Sequence, residues 1–146
     1  MSRPERLSRR LMAEALIDLV AASIALRRRS FEQLVAQSAP EGRDADVATA
    51  RRIERVIRGW ARRLPWNPMC FEQALAAQRL LARRGLKATY HYGSRRGDRD
   101  LEAHVWLSSG GVPVVGHRNA DDFVELARFP DHALDQDGGG SSPTES

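Results

Sequence analysis

The chain has 146 residues, 42% of them hydrophobic and 29% charged, proportions that suit one domain with its own core and exclude a disordered chain. The net charge is only +4, and 22 of the 23 basic residues are arginine, Lys87 being the sole lysine. The one cysteine, Cys70, excludes an intrachain disulfide and a cysteine-rich zinc site, and leaves this thiol as either a packed core residue or a nucleophile.

The first half reads as helical. Leu7, Leu11, Ala15, Leu19 and Ala22 recur at three- and four-residue steps, and Leu16, Val20 and Ile24 are expected to widen the same apolar stripe. The apolar run Leu11–Leu26 is interrupted by Glu14 and Asp18 and is followed by Arg27-Arg28-Arg29. It is shorter than the about 20 apolar residues a membrane span needs, and a signal peptide's apolar region seldom holds two acids. A helix of a non-membrane, cytoplasmic protein is therefore expected. A short helical piece around Phe31–Val35 follows, then a loop at Ser38–Gly42. From about Asp46, the residues Val47, Ala50, Ile53, Val56, Ile57, Trp60 and Leu64 predict a second long helix, which Pro65 ends.

Pro65-Trp66-Asn67-Pro68 is a rigid elbow, because each proline fixes its own φ and keeps its predecessor out of the helical region. A helix begins near Met69 or Cys70 and closes on Arg83-Arg84-Gly85, a basic last turn with a glycine cap. The period then changes to two. Leu86, Ala88, Tyr90 and Tyr92 predict a strand ending at Gly93, and Ser94–Asp100 a loop. Leu101, Ala103, Val105 and Leu107 alternate with Glu102, His104, Trp106 and Ser108 in a second strand. Ser109-Gly110-Gly111 marks a hairpin turn into a third strand, Val112–Val115. A short element around Asp121–Ala127 follows, and Trp60, Trp66 and Trp106 are expected in the core. The fold class is α+β: a helical part over 5–64, then a core over 65–130 in which a cysteine-bearing helix packs on a small antiparallel sheet. Residues 1–134 are expected to form one domain, and 135–146 a disordered tail.

A thiol in the first turn of a helix faces unpaired N–H groups and the positive end of the dipole, both of which favour the thiolate. A histidine on a neighbouring strand, His104, is suited to take the proton and return it to a leaving amine. Taken singly, a lone cysteine is more often a small buried hydrophobe, and a lone strand histidine is usually structural or exposed. A basic nucleic-acid-binding reading, through Arg51–Arg63, finds little support in a small net charge with interspersed acids and no recognised motif. No glycine-rich phosphate loop, cofactor motif or metal-ligand cluster is present.

The segment Arg62–Val115 resembles the C-terminal peptidase half of the B protein of lasso-peptide biosynthesis, in the transglutaminase-like cysteine protease superfamily. The matching residues are Leu64-Pro65-Trp66, Cys70, Ala74-Leu75, Leu80-Leu81-Ala82-Arg83-Arg84-Gly85, Tyr92-Gly93 and Glu102-Ala103-His104-Val105-Trp106-Leu107. Glu14-Ala15-Leu16 in the N-terminal helix shares the likeness, which spans roughly residues 10–130.

The resemblance implies Cys70 as nucleophile and His104 as base and acid, with an oxyanion held by backbone N–H at the start of the Cys70 helix, aided by Asn67. The family's third residue, an aspartate that orients the histidine, falls at Gly116 when counted without gaps. The substitutes nearby are His117, Asn119, Asp121 and Asp122, with Asp121 or Asp122 preferred. The implied reaction is removal of the leader from a ribosomally made precursor, without a cofactor. A leader-recognition module does not fit a helical first half, so the chain resembles the split form. Its expected partners are the precursor leader, a separate leader-recognition protein and the macrolactam-forming cyclase. A non-catalytic binding or scaffolding subunit of the same fold is the alternative, motivated by Gly116.

Overall fold

The computed structural model describes residues 8–36, 42–118 and 120–129. Four helices, α1 (Arg9–Arg28), α2 (Phe31–Ala36), α3 (Val47–Arg63) and α4 (Cys70–Arg83), precede four strands, β1 (Thr89–Arg96), β2 (Leu101–Ser109), β3 (Val112–Val115) and β4 (Val124–Phe129), with a 3-10 turn at Ala120–Asp122. The class is α+β, as expected. Among the described residues no helix is long and apolar enough to cross a membrane. The expected tail, 135–146, lies outside the described residues.

Side chains that compete for backbone donors set the helix starts. Ser8 caps α1 by accepting the Leu11 N–H at 3.0 Å, and Asp46 caps α3 by accepting that of Thr49 at 2.7 Å. Leu64, held extended by the proline that follows, ends α3. Gly85, in the left-handed region at φ 73°, ends α4.

The sheet is antiparallel in the order β3-β2-β1-β4. Gly110 and Gly111, both at positive φ, make the two-residue turn from β2 to β3. Two expectations are revised here. The first strand starts at Thr89 and runs through Gly93 to Arg96. Gly93 does not end it, because a Cβ there would lie 2.9 Å from the Trp106 ring and 2.8 Å from the Val124 carbonyl oxygen. The glycine is what lets the indole and β4 approach a continuous strand. The second is the short element around Asp121–Ala127, which is a 3-10 turn followed by β4, a full strand that pairs with β1 from Tyr90↔Phe129 to Ser94↔Val124. Val124 and Leu126 are exposed, so no buried period existed to reveal the strand, and the ladder with β1 defines it.

One sheet face, bearing Tyr90, Val105, Leu107, Val114 and Val115, packs on α3 and α4 through residues such as Ile53, Ile57, Leu80 and Leu81, and α1 packs in turn on α3 and α4 through residues such as Leu19. By strand alternation His91, His104, Trp106 and Ser108 leave from the other face. Not every expected core residue joins that layer. Val20 and Ile24 are 37% and 46% exposed, so the α1 stripe is narrower than the periodicity predicts. Trp66 is exposed and donates to Ser23 Oγ, and Trp60, half-buried, donates to the Met12 carbonyl.

Asp18 lies fully buried on α1, its carboxylate bonded to Arg79 Nε at 3.0 Å and to Arg83 Nε and Nη2 at 2.9 and 2.8 Å. Glu14 on the same helix accepts from Arg84 at 2.8 Å. The acids that break the apolar run are therefore the ties between α1 and α4, in charge-assisted bonds.

Candidate active site

The elbow before α4 aims the helix start at the sheet. Asn67 takes the left-handed region at φ 49°, which an asparagine tolerates better than most residues, and its N–H donates to the Leu64 carbonyl at 3.2 Å. Gln73 Nε2 donates to the Pro68 carbonyl at 2.8 Å, and Glu72 Oε1 accepts the Met69 N–H at 2.7 Å. These bonds fix the residue before Cys70 from both sides, so that Cys70 is the first residue of α4.

The thiol is partly buried against the core. It meets backbone N–H groups of Val105 on β2, of Phe71 and of Cys70 itself. Burial is the largest influence and pushes the thiol above its ordinary range, with these N–H groups offsetting that only in part. The expectation that the helix start would favour a thiolate is corrected: in the resting protein desolvation outweighs the dipole, and Cys70 is a thiol at neutral pH.

His104 is the chain neighbour of Val105. Its Nε2 lies 2.8 Å from the Gly116 carbonyl oxygen. A carbonyl only accepts, so Nε2 carries the proton, and in the neutral ring Nδ1 keeps its lone pair. The imidazole is also held between Trp106, stacked at 5.6 Å, and Phe123 at 5.0 Å. Arg95 lies 4.6 Å over the far ring of this set, that of Phe123. The structure thus brings the Cys70 thiol to the backbone beside His104, while the thiol and the imidazole share no hydrogen bond.

The position where the resemblance expects a carboxylate is filled by main chain. Gly116 has φ 82°, and a Cβ on it would lie 2.8 Å from the Val105 carbonyl oxygen and 2.9 Å from Trp106 Cβ. No side chain fits, yet the carbonyl of the same residue makes the bond an orienting carboxylate would make. The three described substitutes stand elsewhere. Asp121 is exposed, and Asp122 is exposed and 3.6 Å from Arg95. His117 Nε2 donates to the Leu107 carbonyl at 2.8 Å. Asn119 lies outside the described residues. Asn67 is exposed, three residues before Cys70, the first residue of α4.

Sequence reasoning missed a second polar cluster on the same sheet face. His91 Nδ1 lies 3.1 Å from Glu125 Oε2 and its Nε2 lies 2.9 Å from Ser108 Oγ, with His117 Nε2 3.5 Å from that hydroxyl. The His91 ring stacks on Trp106 at 5.6 Å, so Trp106 stands between the His91 and His104 rings. The alternation of His91 and Ser108 with buried neighbours was visible in the chain. Their pairing was not, because Glu125 comes from β4, whose ladder with β1 no pattern in the chain revealed.

A cysteine at a helix start, packed on an antiparallel sheet whose second strand carries a histidine, defines an α+β domain of the transglutaminase-like kind. The profile of the transglutaminase-like superfamily matches residues 14–128, and the chain belongs to that superfamily. No curated protein and no solved structure matches it significantly.

Proposed function

We propose that the chain is a cysteine peptidase that removes the leader from a ribosomally synthesised lasso-peptide precursor, acting in the cytoplasm with a separate leader-recognition protein. The observation that carries this reading is the His104–Gly116 bond, which holds the ring with Nδ1 unprotonated, the form a general base needs. The superfamily, which includes cysteine peptidases, supports the reaction class. The resemblance over Arg62–Val115 supports the substrate, and the implied cyclase is the next consumer of the freed core amine.

In the proposed reaction His104 Nδ1 takes the Cys70 proton as the sulfur attacks the scissile carbonyl. The oxyanion is stabilised by N–H groups at the start of α4, in the manner of preorganised donors. Collapse breaks the C–N bond, and His104 returns its proton to the leaving amine. Water, deprotonated by the same ring, then releases the acyl group and restores the thiol. Since the thiol is protonated at rest and is not bonded to the ring, the pair must close when peptide seats, a tightening that catalytic hydrogen bonds commonly show.

The same two facts favour a second reading, a non-catalytic binding subunit in which Cys70 is inert. Mass spectrometry of a precursor peptide incubated with this protein and the recognition protein separates the two. Leader release that vanishes in both Cys70→Ala and His104→Ala supports the peptidase. Folded protein that binds its partner and cleaves nothing selects the subunit. Equal cleavage with and without the recognition protein removes the need for that partner.

A further inference from the structure

The α1 residues that the core leaves out form a surface of their own. Ile17, Val20 and Ile24 are 56%, 37% and 46% exposed. They recur at helical spacing along one side of α1, beside a groove of about 420 Å³ lined by Ala21, Ile24, Ala25 and Leu34, with Arg28 and Arg29 at its end. Exposed aliphatic side chains continuous with an apolar groove mark an interaction surface more often than a free one.

Among the described side chains the charges around it are unbalanced. Both acids of α1 are engaged on another flank, Glu14 with Arg10 and Arg84, and Asp18 with Arg79 and Arg83. Arg27, Arg28 and Arg29 are exposed and take part in no ion pair among the described side chains. An occupant that buries the aliphatic residues brings its own ends beside these guanidinium groups. Carboxylates there gain bidentate partners, and ammonium groups are repelled.

The groove also selects the occupant's backbone. Its walls are helices, whose N–H and C=O groups are spent within the helices themselves. An added strand would find no ladder to join, whereas a helix needs only side-chain contacts.

We propose that the α1–α2 groove docks an amphipathic helix of a partner protein, with aliphatic residues at three- and four-residue spacing and carboxylates at the end facing Arg28 and Arg29. The inference stands apart from the peptidase reading, because no residue of the groove belongs to the Cys70 site.

The test is a nitrogen-15 NMR titration of the full chain with two synthetic helical peptides of about 16 residues, long enough to hold helix. They share leucines at helical spacing and differ in bearing two glutamates or two lysines at one end. The glutamate peptide is expected to shift amides of Ala21–Arg29 and Leu34. It should bind at least tenfold more tightly than the lysine peptide, and Ile24→Asp should weaken it tenfold or more. The Arg28→Glu/Arg29→Glu double variant should reverse the preference, a swap that misfolding would not produce. The proposal fails if neither peptide shifts these amides, if the two bind equally, or if the variants leave binding unchanged. It fails equally if removing residues 130–146 shifts the same amides, since the chain itself would then occupy the groove.

Discussion

The imidazole of His104 is held by the backbone of Gly116, Nε2 to carbonyl oxygen at 2.8 Å. A main-chain acceptor does not ionise and cannot rotate away, but it depends on a backbone conformation that favours glycine at this position. Gly116→Asp is therefore expected to abolish leader release rather than improve it. Gly116→Ala should cost about 1–3 kcal/mol of stability from the left-handed φ and the clash with β2, and should lower release at least tenfold. Urea unfolding and progress curves on the same preparations check both. A Gly116→Asp protein faster than wild type would show that the ring wants a carboxylate.

Burial holds the Cys70 thiol above its ordinary range. Alkylation by iodoacetamide is expected to be slower at pH 7 than for an unstructured cysteine peptide, and to rise only above the free-thiol pKa of about 8.5. The folded state keeps this proton more tightly than the unfolded one. Its contribution to stability is thus complete below about pH 8.5 and is lost as pH rises through the higher folded value. Cys70→Ala should flatten that alkaline loss in denaturation measured from pH 7 to 10. Rapid alkylation at pH 6 would mean a preformed thiolate.

Burial also holds His117 below its ordinary range; its bond to the Leu107 carbonyl opposes that shift in part, and His91 adds to it. An unfolded imidazole takes a proton near pH 6.5, while the folded one resists, so stability is present above about 6.5 and falls as the pH drops through the lower folded value. His117→Gln is expected to reduce the slope of stability between pH 7 and 5. An unchanged slope would assign the acid sensitivity to other groups.

Asp18 is fully buried with two arginines, but Arg79 and Arg83 are themselves 49% and 39% exposed in their side chains. Removing the carboxylate frees cations that reach water, so Asp18→Asn is expected to cost about 1–3 kcal/mol rather than the larger penalty of a stranded buried charge. A double-mutant cycle with Arg83→Met should show coupling between the two positions. Additive losses would mean that Asp18 matters for packing alone.

Local rules determined much of this protein from the chain alone. Spacing and caps located the four helices, the Pro65–Pro68 elbow put Cys70 at a helix start, and two-residue alternation gave β2 and its turn into β3. These are short-range effects, decided by residues within a few positions of each other. What the tertiary structure decided is everything set by apposition. Gly93 looks like a terminator until Trp106 lies over it, and β4 has no pattern until β1 supplies its ladder. Val20 and Ile24 match the core period of α1, yet α3 and α4 cover only the neighbouring side of that helix. The thiol illustrates the same division, since the helix start argues for a thiolate and only the packing around it reveals the desolvation that wins. Gly116 reads as a missing carboxylate in sequence, because a backbone carbonyl has no letter of its own and only the fold aims it at His104.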